Sequence, residues 1–292
     1  MPIESEPDRW YDPAKGPGYP VIIRLARAHV VPAEDWNMEC TIAYRDREFE
    51  AMGEADFVAP RDLTRFTTDL TSVPQLLTWL VPRSGLHLPA ALLHDALIPP
   101  YSAMDANQKP LPDWTGPTTV SRQQADRVLR DGMADLGVPL LRRWMVWAAV
   151  SIPTAMKGSW WRKAVVVGTL AVIVALGYLA TLNITGQITV VPWMGTLPVW
   201  RQLLQGLGMA VLVPVLLGLL WPKGTRTAGV IVGVSTATLI HVTVGVASIA
   251  AAYQVAEQGR AAWGPPKRAL KIGGTIAAAA LVALTVWLCL RR

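Results

Sequence analysis

Residues 164–182 read AVVVGTLAVIVALGYLATL and contain no charged side chain. The hydrocarbon core of a bilayer is about 30 Å thick and a helix rises about 1.5 Å per residue, so about 20 apolar residues are enough to cross it. This stretch therefore predicts a membrane-spanning helix. It is the first of several such stretches, which together predict that the C-terminal half of the chain is a transmembrane domain.

Three further apolar stretches predict additional spans, at residues 203–221, 228–253 and 272–290. The first of these three contains Pro214, which a membrane helix tolerates better than a soluble helix does. The sequence predicts an all-α transmembrane domain of about four helices over residues 157–292. A three-span alternative stays open, in which 228–253 does not cross.

The stretch 228–253 differs from the others because it is rich in Thr, Ser and Gly. It also holds His241, which is the only acidic or basic side chain inside the four spans. An intramembrane histidine predicts either a functional group or a neutral imidazole bonded to a neighbouring Thr or carbonyl. Small residues here predict close helix packing rather than chemistry; they are Gly229, Gly233, Ala237 and Gly245.

Charge divides the chain into two halves. Residues 1–156 carry 15 Lys/Arg and 20 Asp/Glu, whereas residues 157–292 carry 12 Lys/Arg and one acid, Glu257. The basic residues of the second half flank the apolar stretches, where lipid headgroups lie. The first half shows no basic stripe with interleaved aromatic residues, so no nucleic-acid partner is expected.

The distribution of Lys and Arg around the spans predicts the orientation. With the N-terminus in the cytosol, the inner side carries seven basic residues: Lys157, Arg162, Lys163, Lys223, Arg226, Arg291 and Arg292. The outer side then carries five: Arg201, Arg260, Lys267, Arg268 and Lys271. We therefore expect a multi-pass protein of the inner, cytoplasmic membrane with a cytosolic N-terminal domain, the lipid bilayer being its first partner.

The N-terminal half predicts a soluble α+β domain over residues 21–156, preceded by an irregular arm at 1–20. Strands are expected at 21–25 and 57–60, with a hairpin that pairs 36–44 with 47–51. Helices are expected at 73–81, 88–98, 121–136 and 139–156. Ser121 and Gln124 form a capping-box pattern at the start of the third helix, and a loop with five prolines occupies 99–119.

Polar residues that suggest chemistry lie in four short motifs of this domain: residues 68–74 (TDLTSVP), 85–87 (GLH), 93–96 (LHDA) and 122–126 (RQQAD). The adjacent His94 and Asp95 are unusual among Ala and Leu, because burying both costs free energy unless they are bonded. Successive helical residues are rotated by about 100°, so the two side chains reach different partners. Asp69 and Asp126 are the candidate partners.

Two interpretations of this set stay open. A histidine with several carboxylates can bind a divalent cation or activate a water. Alternatively, His94 is a core histidine bonded to Asp69 or Asp126, or Asp126 pairs with Arg122 or Arg130 one turn away.

These motifs in this order resemble domain-of-unknown-function family 1353, which is widespread in tailed phages and prophages. The resemblance spans roughly residues 18–150. The residues that carry it are Val58-Ala59-Pro60, the runs 66–74, 90–95 and 122–126, and Met133. It implies no established activity. The family pattern has a Tyr shortly after the His-Asp, whereas here residues 96–99 read ALIP and Tyr101 comes later.

The His-Asp helix followed by a helix with a second Asp is also similar to secreted and parvoviral phospholipase A2. That similarity implies that His94 activates a water, Asp95 binds calcium and Asp126 supports the histidine. The glycine-rich calcium loop and the cysteine framework of those enzymes are missing, so Asp69 and its turn take the place of the loop as a metal ligand.

Two functions follow as expectations. The first is a membrane-anchored, phage-type interaction or structural module at the cell envelope, in lysis, exclusion or assembly, with phage or host envelope proteins as partners. The second is a metal-assisted hydrolase, lipid-directed, that uses His94 and Asp126 for catalysis and a divalent cation on Asp69 and Asp95. The sequence leaves an oligomer open in both cases.

Overall fold

A computed structural model describes residues 6–27, 36–53, 56–64, 66–68, 70, 84–98, 120–239 and 249. The chain forms two compact units, Met1–Thr154 and Ala155–Arg292. The first unit combines short strands with helices, as expected for an α+β domain, and the second is helical where it is described.

Two small antiparallel sheets begin the first unit, in the orders β1-β4-β5 and β2-β3-β6. Their strands are β1 (Trp10–Tyr11), β2 (Leu25–Arg27), β3 (Trp36–Met38), β4 (Ile42–Tyr44), β5 (Phe57–Ala59) and β6 (Thr67–Thr68). All three residues of β4, the central strand of its sheet, are buried and belong to the core of this unit.

The predicted hairpin of 36–44 with 47–51 is wrong. The strands β3 and β4 lie in different sheets, and Arg47–Ala51 is a helix, α1. The physical reason is Asp46, whose side chain accepts hydrogen bonds from the backbone N–H of Glu48 and Phe49 and so caps a helix.

Two further predictions in this region need correction. The strand expected at 21–25 lies at Leu25–Arg27 instead. The arm at 1–20 is not irregular throughout, because Trp10 is buried and pairs with Tyr44 as part of β1.

Three predicted helices of the first unit are confirmed: α2 (Leu88–Leu97), α3 (Arg122–Asp135) and α4 (Leu140–Met156). The capping box is confirmed as well, since Ser121 accepts from the N–H of Gln124 while the Gln124 side chain accepts from the N–H of Ser121. The helix expected at 73–81 and the loop at 99–119 lie outside the described residues.

Side chains from the sheet side hold α3 in place. The indole N–H of Trp10 donates to the carbonyl oxygen of Gly132 at 3.2 Å, and the Tyr44 hydroxyl donates to Asp135 at 2.8 Å. Only glycine fits at position 132, because a Cβ there would lie 2.7 Å from the Trp10 ring. These contacts fix the helix that carries Asp126.

The second unit contains α5 (Trp160–Ile184) and α6 (Val199–Gly218), and residues 226–239 are also helical. Within the described part of the chain, α5 and α6 are the two helices long and apolar enough to cross a membrane. They correspond to the first two predicted spans. The rest of the third stretch, including His241 and Gly245, and all of the fourth lie outside the described residues.

Small residues pack closely against their neighbours in this unit, as predicted for Gly229 and Gly233. A Cβ on Gly229 would lie 2.5 Å from the Trp221 ring, and one on Gly233 would lie 2.8 Å from Pro214. The Trp221 indole N–H donates to the Thr169 hydroxyl of α5 at 2.9 Å. Close packing and one buried hydrogen bond therefore join residues 226–239, α6 and α5.

Candidate functional site

The candidate site lies where α2, α3 and α4 meet. His94 and Asp95 lie near the end of α2, Asp126 lies in the second turn of α3, and Thr154 lies near the end of α4. The capping box at Ser121 fixes the start of α3, which sets the angular position of Asp126 five residues later.

Asp126 joins the three helices. Its Oδ1 lies 2.8 Å from Nε2 of His94, and its Oδ2 accepts a hydrogen bond from the Thr154 hydroxyl at 2.6 Å. The side chains of His94 and Asp126 are only 11% and 4% exposed. Both carboxylate oxygens are thus bonded in a buried place, as the burial of a charge requires.

The hydrogen-bond pattern assigns the proton on His94. An ionised Asp126 can only accept, so Nε2 carries the hydrogen that is donated to it. In the neutral imidazole, Nδ1 then has the lone pair. The nearest acidic group to Nδ1 among the described residues is Asp95, whose Oδ1 lies at 3.9 Å, beyond direct hydrogen-bond distance.

Asp95 is held from the other side by β6. The Thr68 hydroxyl donates to Asp95 Oδ2 at 2.8 Å and accepts from the backbone N–H of Leu70 at 2.9 Å. Leu70 has a φ of 75°, a left-handed conformation that a leucine rarely adopts. Strain of this kind is concentrated at functional sites and persists where surrounding contacts enforce it.

The carboxylates determine the titration of His94. Burial lowers the pKa of its imidazole, but the hydrogen bond from Nε2 to Asp126 and the negative charges of Asp126 and Asp95 raise it more. The net pKa of His94 lies above its ordinary value of 6.5.

A second buried cluster in the same unit, around Asp135, holds secondary-structure elements together. Asp135 is fully buried and accepts from the Tyr44 hydroxyl at 2.8 Å and from the Arg47 guanidinium at 2.6 Å. Burial raises the pKa of Asp135 and, together with the Asp135 charge, the pKa of Tyr44. Because this cluster ties α3 to β4 and α1, it supports the position of Asp126.

Of the four predicted site residues, the structure brings His94, Asp95 and Asp126 together. Asp69 lies outside the described residues. The alternative pairing of Asp126 with Arg130 is not present; Arg130 bonds to Asp131 instead. The catalytic and metal-binding roles stay predictions.

The described residues alone do not form a cation site. Among them, no group of three or more His, Cys, Asp or Glu side chains is placed to hold a metal ion. One oxygen of Asp95 is already bonded to Thr68. The divalent cation on Asp69 and Asp95 stays a prediction.

Sequence reasoning missed Thr154, which completes the bonding of Asp126. Thr154 follows Pro153 inside α4 and belongs to none of the short motifs. A buried carboxylate with one histidine partner does imply a second donor for its other oxygen, but the sequence alone does not say which helix supplies it.

Comparisons with known proteins give one match. No curated protein and no solved structure matches the chain. The family model described as "Protein of unknown function (DUF1353)" matches residues 44–150, a little over a third of the chain. The matched part includes His94, Asp95 and Asp126 and ends four residues before Thr154. The resemblance to family 1353 expected from the sequence is thus confirmed over residues 44–150, and that family has no known function.

Proposed function

We propose that this chain is a multi-pass protein of the cytoplasmic membrane, with about four spans in all. The observation that carries this proposal is the exposure of α5. Its apolar window has a mean hydropathy of 2.4, yet only 17% of it is buried within the protein. A helix in the core of a soluble protein hides its apolar side chains, whereas here Val167, Val172 and Val174 are 54%, 46% and 42% exposed.

The start of α5 supports the orientation with the N-terminal unit in the cytosol. Trp160 and Trp161 are 73% and 62% exposed at the start of α5, next to Arg162 and Lys163. Exposed Trp beside basic residues is typical of the cytosolic headgroup region.

Cysteine labelling tests this topology. In a Cys40→Ser/Cys289→Ser background, Val190→Cys probes the segment between α5 and α6, and Lys223→Cys probes the turn after α6; both positions are exposed. An impermeant thiol reagent is expected to label position 190 in intact cells and position 223 only after lysis. Labelling of position 223 alone in intact cells contradicts the proposed orientation.

For the N-terminal unit we propose an interaction or structural module of phage or prophage type that acts at the cell envelope. The support is that the carboxylates of the candidate site have hydrogen-bond partners within the protein. Both oxygens of Asp126 are bonded to neighbouring helices, and one oxygen of Asp95 is bonded to Thr68. Such a network holds four elements together without needing a substrate.

Expression in a bacterial host tests the module. We expect the full-length chain to change the timing of lysis or to reduce plating of a second phage, and His94→Asn to keep this effect at permissive temperature. A chain that inserts in the membrane and alters neither phenotype contradicts a role in lysis or exclusion.

A second candidate function, hydrolysis, is favoured by one observation: Nδ1 of His94 has no direct hydrogen bond to Asp95, while Nε2 is oriented by Asp126. In this proposal Nδ1 takes a proton from water, the hydroxide adds to an ester carbonyl, and the protonated imidazole returns the proton to the leaving alkoxide. Asp126 stabilises the imidazolium that forms. A phospholipid ester is the substrate that membrane anchoring favours.

Fatty-acid release from glycerophospholipid in mixed micelles tests hydrolysis by the full-length protein, with and without calcium, magnesium or zinc. We expect His94→Asn to lower the rate by about a hundredfold or more and the surface change Asp12→Asn to leave it unchanged. Absence of release under every condition refutes the second candidate. A rate that His94→Asn does not change refutes it as well.

A further inference from the structure

The start of α4 presents an unusual surface, formed by Pro139 and the first helical turn, residues 140–143 (together PLLRR), which we call the Leu–Arg corner. Leu140 and Leu141 are 63% and 74% exposed. The latter is the most exposed large apolar side chain among the described residues of the first unit. Adjacent exposed leucines of this kind mark interaction sites more often than single exposed residues do.

The basic side chains of the corner are not neutralised by the described part of the chain. Arg142 and Arg143 form no ion pair with any residue that the structure describes. The neighbouring Arg130 does bond to Asp131 and also lies over the rings of Trp144 and Trp147, at 5.4 and 5.8 Å. The corner therefore combines exposed apolar surface with two uncompensated positive charges.

The backbone of the preceding turn is well defined. Gly137 ends α3 in the left-handed conformation, with a φ of 72°, and Val138 is buried with its N–H donating to the carbonyl of Met133 at 3.0 Å. This is the bonding pattern of a Schellman-type helix end. The leucines, which begin α4, therefore follow directly on a fixed turn.

We propose that the Leu–Arg corner docks onto an anionic lipid surface, with the two leucines among the acyl chains and the two arginines on lipid phosphates. This inference rests on the proposed membrane anchoring. Amphiphilic segments with arginine beside leucine bind the headgroup region in this way. In the sequence, only residues 157–159 separate α4, which carries the corner, from α5, the first proposed span.

The chemistry favours lipid over a second copy of the chain. Two uncompensated arginines repel a second corner of the same charge, whereas they match a surface of phosphates. Docking also places Trp144, which is partly exposed, near the headgroups.

Fluorescence from the corner tests the inference on the full-length chain in nanodiscs. An environment-sensitive dye is attached at Pro139→Cys in the Cys40→Ser/Cys289→Ser background, which leaves both leucines and both arginines in place. The control dye position is Met52→Cys, which is 56% exposed on α1's C-terminal side. Nanodiscs of phosphatidylcholine alone are compared with nanodiscs that also contain phosphatidylglycerol.

We expect a blue shift at position 139 in the anionic nanodiscs only, none at position 52, and reversal by about 0.5 M salt. The double change Arg142→Gln/Arg143→Gln is expected to weaken docking at least tenfold, and Leu140→Ser/Leu141→Ser to abolish the shift. An equal shift in neutral nanodiscs, or none in either, overturns the proposal. A shift in detergent that depends on protein concentration overturns it in favour of self-association. Failure to reconstitute at all counts against the membrane anchoring instead.

Discussion

Nε2 of His94 lies 2.8 Å from Oδ1 of Asp126, although the two residues are 32 positions apart and lie on different helices. Their contact depends on α3, whose position is set by Trp10 at Gly132 and by Tyr44 at Asp135. The pair is therefore a consequence of the whole first unit, and it is the point at which structural and catalytic interpretations of this protein separate.

Asp126→Asn is expected to lower the free energy of unfolding by about 1.5–3 kcal/mol, because it removes a charged acceptor from a buried imidazole. The pKa of His94 is expected to fall at the same time, since the Asp126 charge helps to raise it. Denaturant unfolding in mild detergent measures the first effect and NMR titration of the histidines the second. Glu48→Gln is the control: it removes an exposed partner of Arg127 and is expected to cost at most about 1 kcal/mol. An equal loss of unfolding free energy in the two variants would contradict the stabilising role of the buried His94–Asp126 pair.

The pH dependence of stability has a defined sign. The pKa of His94 is raised above 6.5 in the folded protein, so its stabilising contribution is complete below that pH and is lost as the pH rises through the folded pKa. The stability advantage of the wild type over His94→Gln should therefore decrease above neutral pH. Unfolding free energies of both proteins between about pH 5 and about pH 9 test this. An advantage that grows with pH would show that the folded protein disfavours the charged imidazole.

Thr154→Val is expected to destabilise the protein by about 1–2 kcal/mol, because it leaves Asp126 Oδ2 without its donor and changes little else in shape. Ser151→Ala is a matched control on the same helix. The Ser151 hydroxyl is buried, and no hydrogen-bond partner is present for it among the described residues, so its removal should be neutral or stabilising. Thermal unfolding of both variants gives the comparison, and a larger loss for Ser151→Ala would refute the role of Thr154.

Gly229→Ala is expected to destabilise the second unit by about 1–3 kcal/mol, because the new Cβ would lie 2.5 Å from the Trp221 ring. Gly208→Ala in α6 is the control. A Cβ there meets no atom within 4 Å, and alanine is the better helix former. Unfolding of the reconstituted protein should separate the two variants. Equal behaviour would contradict the close packing of Gly229 against Trp221.

The helices were predictable because their signals are local. Ser121 and Gln124 mark the start of α3, and the charge-free run at 164–182 marks α5, whose start at Trp160 lies four residues earlier because Ser159 caps the helix. The strands were less predictable. They are only two or three residues long, so the alternation that identifies a strand has no room to develop. Consecutive strands such as β3 and β4 also lie in different sheets.

Part of the candidate site could also be predicted, since a His-Asp pair in an apolar helix requires polar partners. Asp126 was one of two candidates, and the structure places it against His94. Thr154 was not predictable, because its contact depends on how α4 packs on α3. The same holds for α1, where the cap formed by Asp46 outweighs the strand propensity of the flanking residues.

Membrane insertion of the full-length chain is the most direct test of the central claim. Membranes from expressing cells are washed with alkaline carbonate. Protein aggregates are then removed by centrifugation, and the remaining membranes are floated through a density gradient. The account predicts that the chain floats with the lipid after the wash. Recovery of folded protein in the carbonate supernatant, with the exposed apolar faces of α5 and α6 in water, would contradict it.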